Sequence, residues 1–368
     1  MTDIIRKKYY TIAYDFLARV LRTPPYIILF LSDTCPNNCS HCWYNSEWKK
    51  KNLSGRMLSF EELDKISKSI KNIHFITMTG GEAFLRNDIA EIVTVFNKNT
   101  KLGRCDIPTS GFDNDMICEK AIRILESNKD MPFRIDVSID GLDEKHDNIR
   151  QNQGLFKEAC KTINSLQKIK IKYPNLDVAI ITTISEYNNS EIEQLSKFIE
   201  NILPEGEWMV NICRPPTKEK PIANANLEAY KFADNYIKSR IKNNRFKGDS
   251  GHKIGKILTV KNSLRRKIIS DILQNKRKGG GCSGGSLIGA IMSDGEVSPC
   301  EMYDMPIGNI RDYDYNLERL WNSDNAKKMR TKIQDDLCLC TNECFWSTNI
   351  LIQPSCWVGM FKELVKSR

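Results

Sequence analysis

The chain has 368 residues, 40% of them apolar, and carries 55 Lys and Arg against 46 Asp and Glu for a formal net charge of +9. That length supports one large core, or one core and a smaller satellite, and the composition excludes a low-complexity or disordered chain. No apolar run approaches the roughly 20 residues that span a bilayer, and no apolar h-region marks a secretory signal, so a cytoplasmic protein is expected.

Taken in chain order, Ile4, Ile5, Tyr9, Ile12, Ala13, Phe16, Leu17, Val20 and Leu21 recur at helical spacing beside Arg6, Lys7, Lys8, Arg19 and Arg22. They predict a helix within residues 1–24 that packs on its own domain or lies in a membrane interface. Strands are then expected at Ile27–Ser32, His74–Thr79, Arg104–Thr109, Arg134–Asp140, Val178–Ile184 and Trp208–Cys213. Helices are expected between them, at Ser59–Lys71, Asn87–Asn97, Asn114–Ser127, Leu155–Ile169 and Asn189–Ile202. The first opens with Ser59-Phe60-Glu61-Glu62, a capping box that satisfies free backbone donors. Six strand–helix units in series imply a parallel sheet with right-handed crossovers over residues 25–216, and reactive groups collect at the carboxyl ends of such strands.

Residues 217–281 read as a basic helical connector, with a helix at Leu227–Ile241. Between Lys238 and Lys278 there are fourteen Lys or Arg and two acids, Asp249 and Asp271. This surplus favours either an anionic partner or a solvated helical face. No aromatic interleaving supports stacking on bases, so nucleic acid is not expected. Residues 282–368 then form a small cysteine-rich domain, in which Ile288–Met292, the turn Ser293-Asp294-Gly295-Glu296 and Val297 read as a hairpin.

Thirteen cysteines are many for a reducing compartment, where clustered thiols bind metal more often than they pair. Cys105, Cys118, Cys160 and Cys213 stand singly and read as buried thiols. Cys35, Cys39 and Cys42 form C-x3-C-x2-C just after the first strand, a loop able to hold a 4Fe–4S cube and leave one iron open. The alternative is zinc, which wants a fourth protein ligand that only the awkwardly placed His41 could offer.

This spacing, followed by Thr79-Gly80-Gly81-Glu82 at the end of the second strand, resembles the radical SAM superfamily. The resemblance implies a partial (β/α)6 TIM barrel in an α/β fold. It also implies reductive cleavage of S-adenosylmethionine to methionine and a 5′-deoxyadenosyl radical that abstracts a substrate hydrogen. It places Gly80, Gly81 and Glu82 at the methionyl end of the cofactor, the glycines for close backbone approach to a ligand and Glu82 as ammonium acceptor. Val137-Ser138-Ile139-Asp140-Gly141 resembles the segment that meets the ribose and methionine, and His146-Asp147-Asn148-Ile149-Arg150 resembles the H-D-x-x-R stretch. Ser138, Asp140, Arg150 and His41 thus join the cofactor-binding set, although Arg150 equally suits an ion pair with Glu144 or Asp147.

Cys282-x12-Gly295-x4-Cys300, with Ile307-Gly308-Asn309-Ile310 after it, resembles SPASM and twitch domains, which hold auxiliary 4Fe–4S clusters. The remaining Cys338, Cys340, Cys344 and Cys356 depart from the full pattern, since six thiolates cannot fully ligate two cubes. One auxiliary cluster completed by Cys340 and Cys344 is favoured over two; a zinc site is the alternative. Glu301, directly after Cys300, is either a base toward a substrate radical or a hydrogen-bonded carboxylate of the hairpin.

The expected reaction is peptide or natural-product modification fed by an external one-electron donor such as flavodoxin or ferredoxin. The substrate class stays open between a peptide and a small molecule, either of them suited to carry negative charge. Oxidation, epimerisation or dehydration of a sugar, nucleotide-linked or lipid molecule is the alternative, and a non-enzymatic iron–sulfur electron-transfer or scaffold protein a further one. The twenty-odd residues before the first strand are few for a leader-binding domain, which weighs against the peptide reading without excluding it.

Overall fold

The computed structural model describes residues 3–44, 56–71, 73–214, 226–243, 255–276, 281–302, 305–336 and 338–366. Strand β1, Tyr26–Ser32, is buried at all seven positions, as an unbroken apolar run covered on both faces should be. Strands β2 (Phe75–Gly80), β3 (Arg104–Thr109), β4 (Phe133–Ser138), β5 (Leu176–Ile184) and β6 (Glu207–Ile212) follow it side by side, in chain order and all parallel. This is the partial-barrel order expected from the sequence, with strand ends shifted by at most two residues.

Helix α1 is Asp3–Leu21; the crossovers are α2 (Phe60–Lys68), α3 (Ile89–Thr100), α4 (Asn114–Ser127), α5 (Asp143–Arg150), α6 (Leu155–Lys172) and α7 (Ile192–Ile202). The expected helix from Asn189 divides, its first turn being a 3-10 turn at Asn189–Glu191. The capping box forms: Ser59 Oγ accepts from Glu62 N at 3.3 Å, and Ser59 N donates to Glu62 Oε2 at 2.8 Å.

The cysteine-rich region continues the same sheet. Strand β7 (Ile288–Ile291) pairs parallel with β1, from Tyr26 opposite Ile288 to Leu29 opposite Ile291. Strands β8 (Glu296–Ser298) and β9 (Gly308–Asn309) extend it antiparallel to nine strands. Gly295 makes the hairpin turn at φ +88°, a conformation that favours glycine.

Of the basic connector, α8 (Leu227–Lys242) and α9 (Gly255–Leu273) are described; residues 244–254 and 277–280 lie outside the described residues. Several of its cations are structural. Buried Arg240 donates to the carbonyls of Leu203 and Pro204, and buried Arg266 pairs with Asp234 at 2.6 Å. Four more helices, α10 (Leu317–Trp321), α11 (Asp324–Asp335), α12 (Glu343–Ile352) and α13 (Pro354–Lys366), complete the described chain. Helix α1 packs on α11, and Tyr10 and Tyr14 cluster with Leu287. The packed face is only in part the predicted stripe: Tyr10, Tyr14 and Ala18 are buried with Leu17 and Leu21 beside them, whereas Tyr9, Ile12, Phe16 and Val20 are exposed. Among the described residues no helix is long and apolar enough to cross a membrane.

Candidate functional site

The loop that carries Cys35, Cys39 and Cys42 leaves β1 at Ser32 and is stitched to the end of β2. Gly81 N donates to Ser32 O at 2.7 Å, and Glu82 N to Thr34 O at 2.8 Å. A Cβ on Gly81 would stand 2.3 Å from Thr34 O and 3.1 Å from the Cβ of Cys35; one on Gly80, at φ +138°, would stand 2.4 Å from Ser32 O. The sequence pointed to glycines that let a ligand approach. The structure shows another close neighbour, since the cysteine loop itself packs against both glycines.

The three thiols line a cavity of about 240 Å³ over the carboxyl ends of the barrel strands, together with His41, Gly81, Glu82, Ser138 and Arg150. Glu82 is buried and already held: Oε2 accepts from Ser110 N (2.9 Å), Ser110 Oγ (3.0 Å) and Thr109 Oγ1 (3.1 Å). Burial raises its pKa, and these hydrogen bonds offset part of that rise. Ser138 reaches the cavity as the last residue of β4.

Arg150, at the end of α5, pairs with neither Glu144 nor Asp147. It donates through Nε (2.8 Å) and Nη2 (2.7 Å) to Oδ2 of Asp140, whose Oδ1 accepts from Thr183 N at 2.7 Å. Asp140, expected among the cofactor-binding residues, is fully buried and off the cavity wall, and its carboxylate contacts Arg150. Burial would raise the Asp140 pKa, but the charge of Arg150 and the neighbouring histidines hold it low. His146 accepts from Asp140 N at 3.0 Å, and burial with Arg150 nearby pushes its pKa down to about 3.

The donor set fits an iron–sulfur cluster and S-adenosylmethionine. Three cysteine thiols share one wall; a buried carboxylate and a guanidinium, each suited to one charged end of an amino acid, stand on the others. His41 lines the cavity with its buried Nδ1 lacking a hydrogen-bond partner among the described residues. Burial raises Cys35 to about 11 and Cys39 to about 12, with Arg150 drawing both down. Among the described residues no three His, Cys, Asp or Glu side chains converge tightly enough to hold a single ion.

In the second cysteine group, Cys338 lies against both Cys282 and Cys340, and Cys300 is within electrostatic reach of Cys340 and Cys338. Backbone amides donate to two of these sulfurs, Gly284 N to Cys282 at 3.4 Å and Met302 N to Cys300 at 3.3 Å, as is common around cluster thiolates. Of the pair expected to complete the set, Cys340 lies with Cys338, and Cys344 is not among these neighbours of Cys300. The Cys344 thiol meets the Tyr26 phenol and is within electrostatic reach of Glu301, and buried Cys356 meets Gln353 Oε1 at 3.9 Å.

Arg214, which the sequence reading passed over, joins the two cysteine groups. It lines the cavity just beyond β6 and donates to Glu343 Oε2 at 2.8 Å. The adjacent Asn342 donates to Glu301 Oε1 at 2.9 Å. Burial raises the Glu301 pKa, and Arg214 lowers it. Thr109, Thr183 and Asn211 were also passed over, although each lies in the last two residues of its strand, where a barrel gathers reactive groups.

Comparison with known proteins agrees with this geometry. The family model of the radical SAM superfamily matches residues 29–199, and that of the SPASM iron–sulfur cluster-binding domain matches residues 282–345. The sporulation killing factor maturation protein SkfB of Bacillus subtilis is 26% identical over 289 residues, 77% of this chain and 61% of SkfB. The GTP 3′,8-cyclase of Haemophilus ducreyi is 20% identical over 51% of this chain and 53% of the cyclase. The chain therefore spans between half and two thirds of the length of these relatives. Among solved structures, anSMEcpe with bound AdoMet superposes with a TM-score of 0.57 at 17% identity, covering 84% of this chain and 83% of that one. Streptococcus suis SuiB bound to precursor peptide SuiA gives 0.57 at 14% identity, covering 86% and 69%. At those identities the likeness is one of fold. Residues 29–199 are thus a radical SAM domain and residues 282–345 a SPASM iron–sulfur cluster-binding domain.

Proposed function

We propose that the protein is a radical SAM enzyme that modifies a peptide. The observation that carries this reading is the convergence of Cys35, Cys39, Cys42, Glu82, Ser138 and Arg150 on one cavity, joined through Arg214 to a second thiol group. Cys35, Cys39 and Cys42 would hold the first cluster; Cys282, Cys300, Cys338 and Cys340 would hold an auxiliary one. When bound and reduced, the first cluster and S-adenosylmethionine supply a carbon radical able to remove a substrate hydrogen.

The chain's own residues bind and orient. Glu82 receives the ammonium of the methionyl group, Arg150 and Ser138 receive its carboxylate, and His41 offers Nδ1 on the same wall. Arg150 serves because Asp140 fixes it beforehand. Glu301 would take the proton released if a substrate radical passed its electron to the auxiliary cluster that Cys282, Cys300, Cys338 and Cys340 would hold.

The peptide class is supported by three matched proteins: SkfB is a maturation protein, SuiB is solved with a precursor peptide, and anSMEcpe is solved with AdoMet and the Cp18Cys peptide. The GTP 3′,8-cyclases, which favour a small molecule, match only about half of this chain. Thirteen cysteines with no disulfide among the described residues fit a reducing cytoplasm, where a flavodoxin or ferredoxin would supply the electron. The test is co-expression with short peptides encoded beside the gene, read as a mass loss of about two hydrogens or of water. Unmodified peptides alongside turnover of a nucleotide or sugar would replace the peptide reading.

A further inference from the structure

Exposed large apolar side chains are concentrated on two helices. On α1 they are Tyr9, Ile12, Phe16 and Val20, each 39 to 63% exposed; around α13 they are Leu351, Trp357, Val358 and Phe361, each 51 to 70% exposed. A helix that packs through one face normally turns polar groups outward. Helix α1 instead packs through Tyr10, Tyr14 and Ala18 and presents a second apolar stripe.

The start of α13 lies beside α1. Ile352, at the corner between α12 and α13, packs with Tyr10 and Tyr14. Gln353 donates to Gly281 O at 2.9 Å, and a Cβ on Gly281 would stand 2.5 Å from the Tyr10 ring.

The charges around the stripes are one-sided. Asp15 is the single acid between Lys8 and Leu21, and it is neutralised by buried Arg330 at 3.1 Å and by Arg19 at 2.6 Å. Between Pro354 and Lys362 there is no acid, the first being Glu363. Lys8, Arg19 and Lys362 are exposed at the edges. Apolar and aromatic side chains flanked by exposed cations, with few acids among them, complement a surface that is apolar beneath and anionic at its face.

We propose that α1 and α13 together form a peripheral docking surface for an anionic lipid bilayer, entered by Ile12, Phe16, Trp357 and Phe361 and held by the flanking cations. The binding is interfacial and involves no spanning segment.

The test uses the full, cluster-loaded chain, sedimented anaerobically with vesicles of phosphatidylglycerol in phosphatidylcholine, or of phosphatidylcholine alone. The protein should pellet with the anionic vesicles and stay in solution with the neutral ones. Adding salt should release part of it. Ile12→Ser/Phe16→Ser should weaken the partition roughly a hundredfold, from the loss of two inserted side chains. S-adenosylmethionine cleavage should be unchanged, which establishes that the variant is folded. Failure to pellet with anionic vesicles, or equal pelleting of the variant, overturns the proposal. So does a dimer in light scattering that the same variant converts to monomer, since the face would then be covered by a second copy of the chain.

Discussion

Arg150 and Asp140 form a buried pair in which both guanidinium contacts, at 2.8 and 2.7 Å, fall on one carboxylate oxygen. The pair turns a mobile cation on the cavity wall into a fixed one. Asp140→Asn should leave Arg150 buried without its counter-charge, a loss of about 3 to 5 kcal/mol when one partner of such a pair is removed. Affinity for S-adenosylmethionine should fall about tenfold or more, while iron on Cys35, Cys39 and Cys42 is retained. Equilibrium dialysis of the loaded variant checks this; unchanged affinity would return Asp140 to a merely structural role.

Gly81→Ala should damage the cysteine loop and leave the cofactor-facing polar groups in place. Its Cβ would meet Thr34 O at 2.3 Å, a distance that only movement of the loop can relieve. The variant should lose first-site iron and keep iron on the auxiliary thiols, read by electron paramagnetic resonance of the reduced protein. Full loading of both sites would contradict the packing argument.

The same loop is closed from the auxiliary hairpin. Tyr44 Oη donates to Asp33 Oδ1 at 2.8 Å and lies 3.1 Å from Ser293 Oγ, which itself contacts Asp33. Asp33 and Tyr44 flank the three cysteines, so this trio ties both ends of the loop to the turn between β7 and β8. Ser293→Ala should speed loss of first-site iron to a chelator about tenfold, as for one or two buried hydrogen bonds, and Ser293→Thr should restore retention. Equal retention in both variants would show the trio to be dispensable.

Much of this fold was legible because fully buried parallel strands carry unbroken apolar runs and because helix starts carry their own caps. The cysteine loop was legible for a different reason: its ligands are close in sequence, so spacing alone conveys geometry. What escaped was non-local. Nothing in Ile288–Met292 says that it joins β1, some 260 residues earlier, and the partner of Arg150 lies back across a bend, at Asp140 and not in its own helix. Helical periodicity grouped Ile12 with Phe16 correctly, but it cannot tell which face of α1 a neighbour covers.

Glu62 links the two halves in a pH-dependent way. The capping carboxylate accepts from Arg311 Nε and from Tyr315 Oη, both at 2.9 Å. Burial works against its ionisation, yet these partners and Ser59 N bring its pKa down from 4.5 to about 2. A lowered carboxylate stabilises the fold above its unfolded value and loses that contribution as pH falls toward the folded one. Wild type should therefore exceed Glu62→Gln in denaturant resistance at neutral pH, and the gap should narrow below about pH 4.5. A gap that widened in acid would contradict the assignment.

The central claim is that Cys35, Cys39 and Cys42 hold a cluster that cleaves S-adenosylmethionine, apart from the iron held by the second thiol group. The direct measurement is 5′-deoxyadenosine formed under anaerobic, reducing conditions by the reconstituted protein and by its Cys35→Ala/Cys39→Ala/Cys42→Ala variant, with iron counted in both. The wild type should form 5′-deoxyadenosine and hold more than the roughly four irons of one cube. The variant should form none and still hold iron. A wild type that forms no 5′-deoxyadenosine, or a variant that matches it, would contradict the account.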